Sequence, residues 1–189
     1  LVPLSRDRGF IYWEAHGTFY RGERRLLAGE IKEGLDEMHQ GLRTMLATGT
    51  QTCLTRLYAR MADACSRIGE IEEGLSAVGA AMDALHKYDE RYMEAELYRY
   101  RGELLLQQGR ELEEVEGDLQ RGLSVARQQQ AKFLELRGVM SLARLRQKQG
   151  RQEEAQESLE AVYEWFTEGF ETPDLQDAET LLEQLPNGA

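Results

Sequence analysis

Histidines, cysteines and adjacent glutamates are the residues of this 189-residue chain whose types could support chemistry. His16, His39 and His86 could hold zinc only if paired at His-x-x-x-His spacing or joined by a Cys-x-x-Cys, and neither pattern occurs. They read as packing or surface histidines. Cys53 and Cys65 could form a disulfide, but on one helix a separation of twelve residues spans roughly 18 Å at 1.5 Å per residue. That exceeds the Cα separation of about 7 Å that a disulfide tolerates. Both are expected to be small apolar side chains in a reducing compartment. Glu72-Glu73, Glu113-Glu114 and Glu153-Glu154 could act as acid–base pairs. They recur, however, at matching places in the first turn of a helix, where negative charge offsets the helix dipole. Phosphate-cradling Gly-x-x-x-x-Gly-Lys-Ser/Thr and Gly-x-Gly-x-x-Gly loops do not occur. No catalytic residue, cofactor or metal is expected.

The elements that carry these residues follow from a period. Gly29, Gly69, Gly109 and Gly150 are separated by 40, 40 and 41 residues, each in a similar frame beginning Gly29-Glu-Ile-Lys-Glu-Gly and Gly69-Glu-Ile-Glu-Glu-Gly. Such a period marks an array whose units bury their apolar faces only against neighbours. Small residues recur seven positions before the glycine (Gly22, Ala62, Gly102, Ala143) and five after it (Gly34, Gly74, Val115, Ala155). Another set lies seven further on (Gly41, Ala81, Gly122, Val162), with Met38, Val78, Leu119 and Leu159 between. One inserted residue within 110–114 accounts for the interval of 41, and a turn absorbs it more easily than a helix interior. Small residues let two helices approach closely while the intervening apolar residue fills the groove.

Each repeat therefore reads as helix A, a turn at the glycine, and helix B. The expected A helices are 10–28, 51–68, 91–108 and 132–149, and the B helices 31–47, 71–87, 112–129 and 152–167. Thr48-Gly49-Thr50 supplies a C-cap and an N-cap at the first joint, whereas the later joints carry weak stop signals. A last helix over 173–185 starts with Thr172 as N-cap and Pro173 at the first position, and its apolar stripe caps the array. The repeats span about 10–49, 50–89, 90–130 and 131–168 of a single domain over 1–189.

Composition agrees. Leu outnumbers Val plus Ile by 27 to 10, and Pro occurs only at 3, 173 and 186. The fold class is all-α, an α-solenoid of about four elongated helical hairpins with a C-terminal capping helix. A net charge of −11 argues against nucleic acid and anionic membranes as partners. Eleven acidic and one basic residue fall within 151–189, a net −10, against −1 for 1–150. This is either the polar outer face of a terminal cap or an acidic dock for a basic partner. No apolar run is long enough to span a membrane and no signal peptide is visible. The chain begins at Leu1 without Met, which suggests a cytoplasmic segment of something longer.

The small-residue pattern resembles the tetratricopeptide repeat (TPR), nominally 34 residues, with each helix here about one turn longer. The usual proline at the close of helix B is absent. Three segments extend the likeness: 95–107, 130–137 followed by 140–144, and Val162-Tyr-Glu-Trp-Phe-Thr-Glu-Gly-Phe-Glu-Thr-Pro-Asp-Leu175. They are similar to the C-terminal repeat arm of large bacterial signalling proteins that join a class III adenylyl/guanylyl cyclase to an ATPase. None of the catalytic parts of those proteins lies in this chain.

In the repeat family, helix A positions two, five, nine and twelve line a concave groove. The resemblance thus implies groove residues His16, Phe19, Glu23 and Leu26 in the first repeat, and Arg56, Ala59, Asp63 and Ser66 in the second. It implies Glu96, Arg99, Glu103 and Leu106 in the third, and Arg137, Met140, Arg144 and Gln147 in the fourth. The groove would be acidic at three repeats and basic toward the fourth, suited to a polar peptide or protein segment; a solvated face without a ligand is the alternative. The function expected is a non-catalytic protein-interaction or regulatory module of a larger cytoplasmic signalling protein, binding a partner or the parent's own domains. The alternatives are a small-molecule effector sensor and self-association through Phe10, Ile11, Trp13 and Phe19 of the first repeat.

Overall fold

The structure, a computed structural model, describes residues 2–185. By internal contacts the chain divides into two compact units, Leu1–Glu90 and Arg91–Ala189. The first holds α1 (Val2–Asp7), α2 (Ile11–Leu27), α3 (Ile31–Ala47), α4 (Leu54–Ile68) and α5 (Ile71–Tyr88). The second opens on a 3-10 turn, Arg91–Met93, followed by α6 (Glu94–Gln108), α7 (Leu112–Gln128), α8 (Lys132–Lys148), α9 (Gln152–Tyr163) and α10 (Pro173–Gln184). No strand occurs among the described residues. The helices pack as hairpins: α2 with α3, α4 with α5, α6 with α7, and α8 with α9.

The four periodic glycines close the hairpins. Gly29, Gly69, Gly109 and Gly150 have φ between 76° and 89°, a left-handed conformation that costs glycine nothing. In each turn the amide of the following residue reaches back five positions: Glu30 to Arg25, Glu70 to Cys65, Arg110 to Leu105 and Arg151 to Arg146, at 2.9–3.0 Å. This is the Schellman closure of a helix C-terminus. The inserted residue lies in the third turn, where two residues, Arg110 and Glu111, separate Gly109 from α7 instead of one.

The small residues act as expected. A Cβ on Gly22 would lie 2.5 Å from the Gly34 carbonyl oxygen, and one on Gly41 would lie 2.6 Å from the Phe19 amide nitrogen. Ala62, Ala81, Ala143 and Ala155 are fully buried, as are Met38, Val78, Leu119 and Leu159 between the small positions.

Several boundaries differ from expectation. Thr50 does not cap α4; the helix begins at Leu54, preceded by Cys53 at φ 64°. Its first amides are satisfied from a distance, because the Glu90 carboxylate accepts from the Cys53 amide at 2.6 Å and the Thr55 amide at 3.2 Å. Asp89 and Gln130 take the left-handed conformation at the later joints, which explains why no glycine marks them in the sequence. Helix α9 stops at Tyr163, four residues short, because Phe166 turns inward to pack on Phe133 with ring centroids 5.0 Å apart. Pro173 stands at the start of α10, but the Thr172 hydroxyl donates back to the Gly169 carbonyl at 2.7 Å rather than capping the helix. Leu175, Ala178, Leu181 and Leu185 are buried, and α10 packs on α8 and α9 as a cap. The helix ends at Gln184, one residue before the expected end, with Leu185 as its C-cap. Helix α1, absent from the expectation, packs on α2.

Candidate functional site

Helices α2 and α4 position the expected groove residues of the first unit. His16 is buried among Tyr12, Trp13 and Tyr20, whose ring centroids lie 4.7, 6.0 and 6.1 Å away. Its Nε2 has no hydrogen-bond partner. Burial, and then the nearby charge of Arg56, hold the imidazole below its usual pKa. Glu23 is buried in an ion pair with Arg60, and Asp63 pairs with Arg67 at 3.2 Å. Phe19 corrects the expectation: its backbone abuts Gly41 of α3 and its side chain is 0% exposed, so it lines no groove. Cys65 is likewise core, its thiol pushed up to about 12 by burial and then by Glu73 and Glu70.

The second unit brings its expected residues together. On α6, Arg99 donates to Glu96 at 2.7 Å and to Glu103 at 2.8 Å, and its guanidinium lies 4.4 Å from the Tyr100 ring centre. From α8, the Ser141 hydroxyl donates to Glu103 at 2.6 Å, and Arg137 approaches Glu96 at 3.7 Å. Arg137 is also held by Asp174 of α10 through two hydrogen bonds of 2.9 and 2.7 Å. Burial alone would push Glu96 up, but the hydrogen bonds and charge of Arg99, with Arg137, hold its carboxyl below the usual range. Arg99 loses solvent as well, and Glu103 and Glu96 more than compensate, raising its pKa.

Met140 is the second correction. Helix α8 meets α6, α7, α9 and α10, so Leu136 and every residue from Gly138 to Ala143 is buried, Met140 among them. The acidic character expected of this face is also reduced, since Glu96 and Glu103 share Arg99 as an ion-pair partner within the face.

What stays available is basic. Arg144 is exposed, and Arg144 and Lys148 make no ion pair among the described residues. Both border a cleft of about 270 Å³ lined also by Leu106, Leu119, Glu103 and Ser141. Sequence reasoning missed Lys148, Ser141 and Asp174. Lys148 and Ser141 are one turn from Arg144 and Arg137, so helical spacing from those two could have found them. Nothing local pointed to Asp174, which lies 37 residues from Arg137.

No protein-family model matches the chain, and no curated protein matches it. Solved structures do. One is a kinesin-light-chain-type protein of nearly identical TPR-like repeats from Podosopora anserina, 16% identical, with a TM-score of 0.66 over 92% of this chain and 85% of that one. The fold is TPR-like. A single-substitution variant of the same kind of protein gives a TM-score of 0.65 at 17% identity, over 92% of this chain and 93% of that one. At these identities the likeness to TPR-like repeats concerns the fold, and the elongated hairpins described above are its local basis. No described helix is long and apolar enough to cross a membrane.

Proposed function

We propose that this TPR-like chain is a non-catalytic protein-interaction module, and that the α6/α8 face of the second unit takes an acidic-apolar segment of a protein partner. The observation that supports it is the pair of free cations, Arg144 and Lys148, beside a cleft with Leu106 and Leu119 in its lining. An extended segment could place a carboxylate against these cations and an apolar side chain in the cleft. The likeness to bacterial cyclase–ATPase proteins suggests a partner within a larger cytoplasmic signalling chain, including the parent's own ATPase domain. Arg99 is a poor probe of this face because it holds Glu96 and Glu103 together. The informative variant is Arg144→Glu with Lys148→Glu. Screened by fluorescence anisotropy against an array of acidic-apolar peptides, the wild-type chain is expected to retain hits that the double variant loses by about tenfold or more, as for removal of charge-assisted contacts. Equal binding by both would move the interface off this face.

A second reading rests on the first unit. Phe10, Ile11 and Trp13 are each more than half exposed at the start of α2, an apolar group suited to self-association. Sedimentation at rising concentration tests it, and a monomer throughout would remove it.

A further inference from the structure

We propose that a cleft on the opposite side of α8 binds a small organic oxyanion, a carboxylate or phosphate monoester carried on a compact apolar body. Val139, Leu142 and Arg146 project from the side of α8 opposite Arg137, Ser141 and Arg144, as a step of about 100° per residue requires. Together with α7 and α9 they enclose a cleft of about 450 Å³, within the size range of small-molecule sites. Its floor is apolar: Leu123, Val139 and Leu142, all buried. Its walls carry Ser124, Arg127, Arg146 and Ser158. None of the described residues lining it is Asp or Glu, in a chain with 34 acidic residues.

Arg146 is the anchor. Its side chain is 15% exposed, and its Nη1 donates to the Ser158 hydroxyl at 3.1 Å and more weakly to the Glu154 carbonyl at 3.4 Å. Its Nε is buried without a hydrogen-bond partner. Glu116 forms an ion pair with this Nε at 3.9 Å, beyond hydrogen-bond range, and is held more closely by Arg151 at 3.0 Å. The Arg146 guanidinium and the Ser158 hydroxyl both line the cleft, so an oxyanion entering it would meet a charged donor in the fork geometry that guanidinium favours. Arg127, tied to Glu135 at 2.8 Å, adds a second cation from α7. The leucine and valine floor then selects for an apolar body beyond the headgroup. This inference uses a different face from the peptide site proposed above and does not depend on it.

The test is an NMR titration of the full chain with phenyl phosphate and phenylacetate, with inorganic phosphate and acetate as headgroup-only probes. It follows the Arg146 Nε–H resonance and the methyl groups of Leu123, Val139 and Leu142. Saturable shifts at these groups are expected from at least one aromatic probe, with a dissociation constant on the order of 1 mM, and weaker ones from the headgroups alone. The better of the two aromatic probes identifies the headgroup class. Arg146→Gln is expected to weaken binding about tenfold, and the exposed Arg127→Gln by a smaller factor. Arg121→Gln, on α7 but outside the cleft, should bind as wild type does. The absence of saturable shifts at these groups up to about 20 mM of either aromatic probe would overturn the proposal. So would unchanged affinity in both Arg146→Gln and Arg127→Gln.

Discussion

His16 lacks any motif that would mark it in the sequence, yet its burial beside Arg56 couples the fold to mildly acidic pH. Its pKa is lowered from 6.5 by burial and then by Arg56. The folded state therefore resists protonation more than the unfolded chain does, and stability is full above about pH 6.5 and falls as pH drops through the lowered value. The urea midpoint should decline between pH 7 and pH 5.5, and His16→Leu should flatten that decline; an unchanged slope would count against the assignment. Glu96 and Glu135 titrate in another window. Their lowered values mean stability present above about pH 4.5 and lost as pH falls below it. Arg99 and Phe19 show how differently two residues from one register can fare. Repeat position nominates both for the groove; Arg99 joins a polar network with groove access nearby, while Phe19 is sealed into the α2/α3 hairpin.

Glycines separate by role at the level of the helix hairpin. Gly41 sits where α3 meets the α2 backbone, and a Cβ there would come within 2.8 Å of backbone atoms of Ala15 and Phe19. Gly79 and Gly117 are exposed in helix interiors with nothing within 4 Å of an added Cβ. Gly41→Ala should therefore destabilise by about 2 kcal/mol through forced separation of the two helices. Gly79→Ala and Gly117→Ala should each stabilise by about 0.5–1 kcal/mol by restricting the unfolded chain and raising helix propensity. Thermal and urea unfolding of the three variants checks both signs. The same contrast explains which boundaries were legible. Gly29, Gly69, Gly109 and Gly150 announce hairpin turns because their left-handed φ favours glycine. The joints at Asp89 and Gln130 adopt that conformation without it, and the start of α4 depends on Glu90 from 35 and 37 residues away.

Charge acts at the level of the whole molecule. A net −11, concentrated in the last 39 residues, repels other polyanions over several ångströms at physiological salt. No mobility shift of duplex DNA is expected at about 0.15 M salt, and a saturable, salt-sensitive shift would contradict this reading. Against that background the basic groups that remain on the second unit are conspicuous. Arg144 and Lys148 lie on one side of α8 and Arg146 on the other, so both proposed sites draw on cations of an acidic protein.

Periodicity by itself determined the class of the fold, the four hairpins, the register of small residues and the turn that holds the inserted residue. These are local or next-neighbour properties, set by backbone conformation at glycine and by the 3.6-residue spacing of apolar side chains. Which polar residues remain free was decided only by tertiary structure. Arg137 is taken by Asp174, Glu103 by Arg99 and Ser141, and Glu116 by Arg151, while Arg144 is left over. The pairing of a long charged side chain depends on partners brought within reach by packing, from as far as 38 residues along the chain, and no repeat register encodes that.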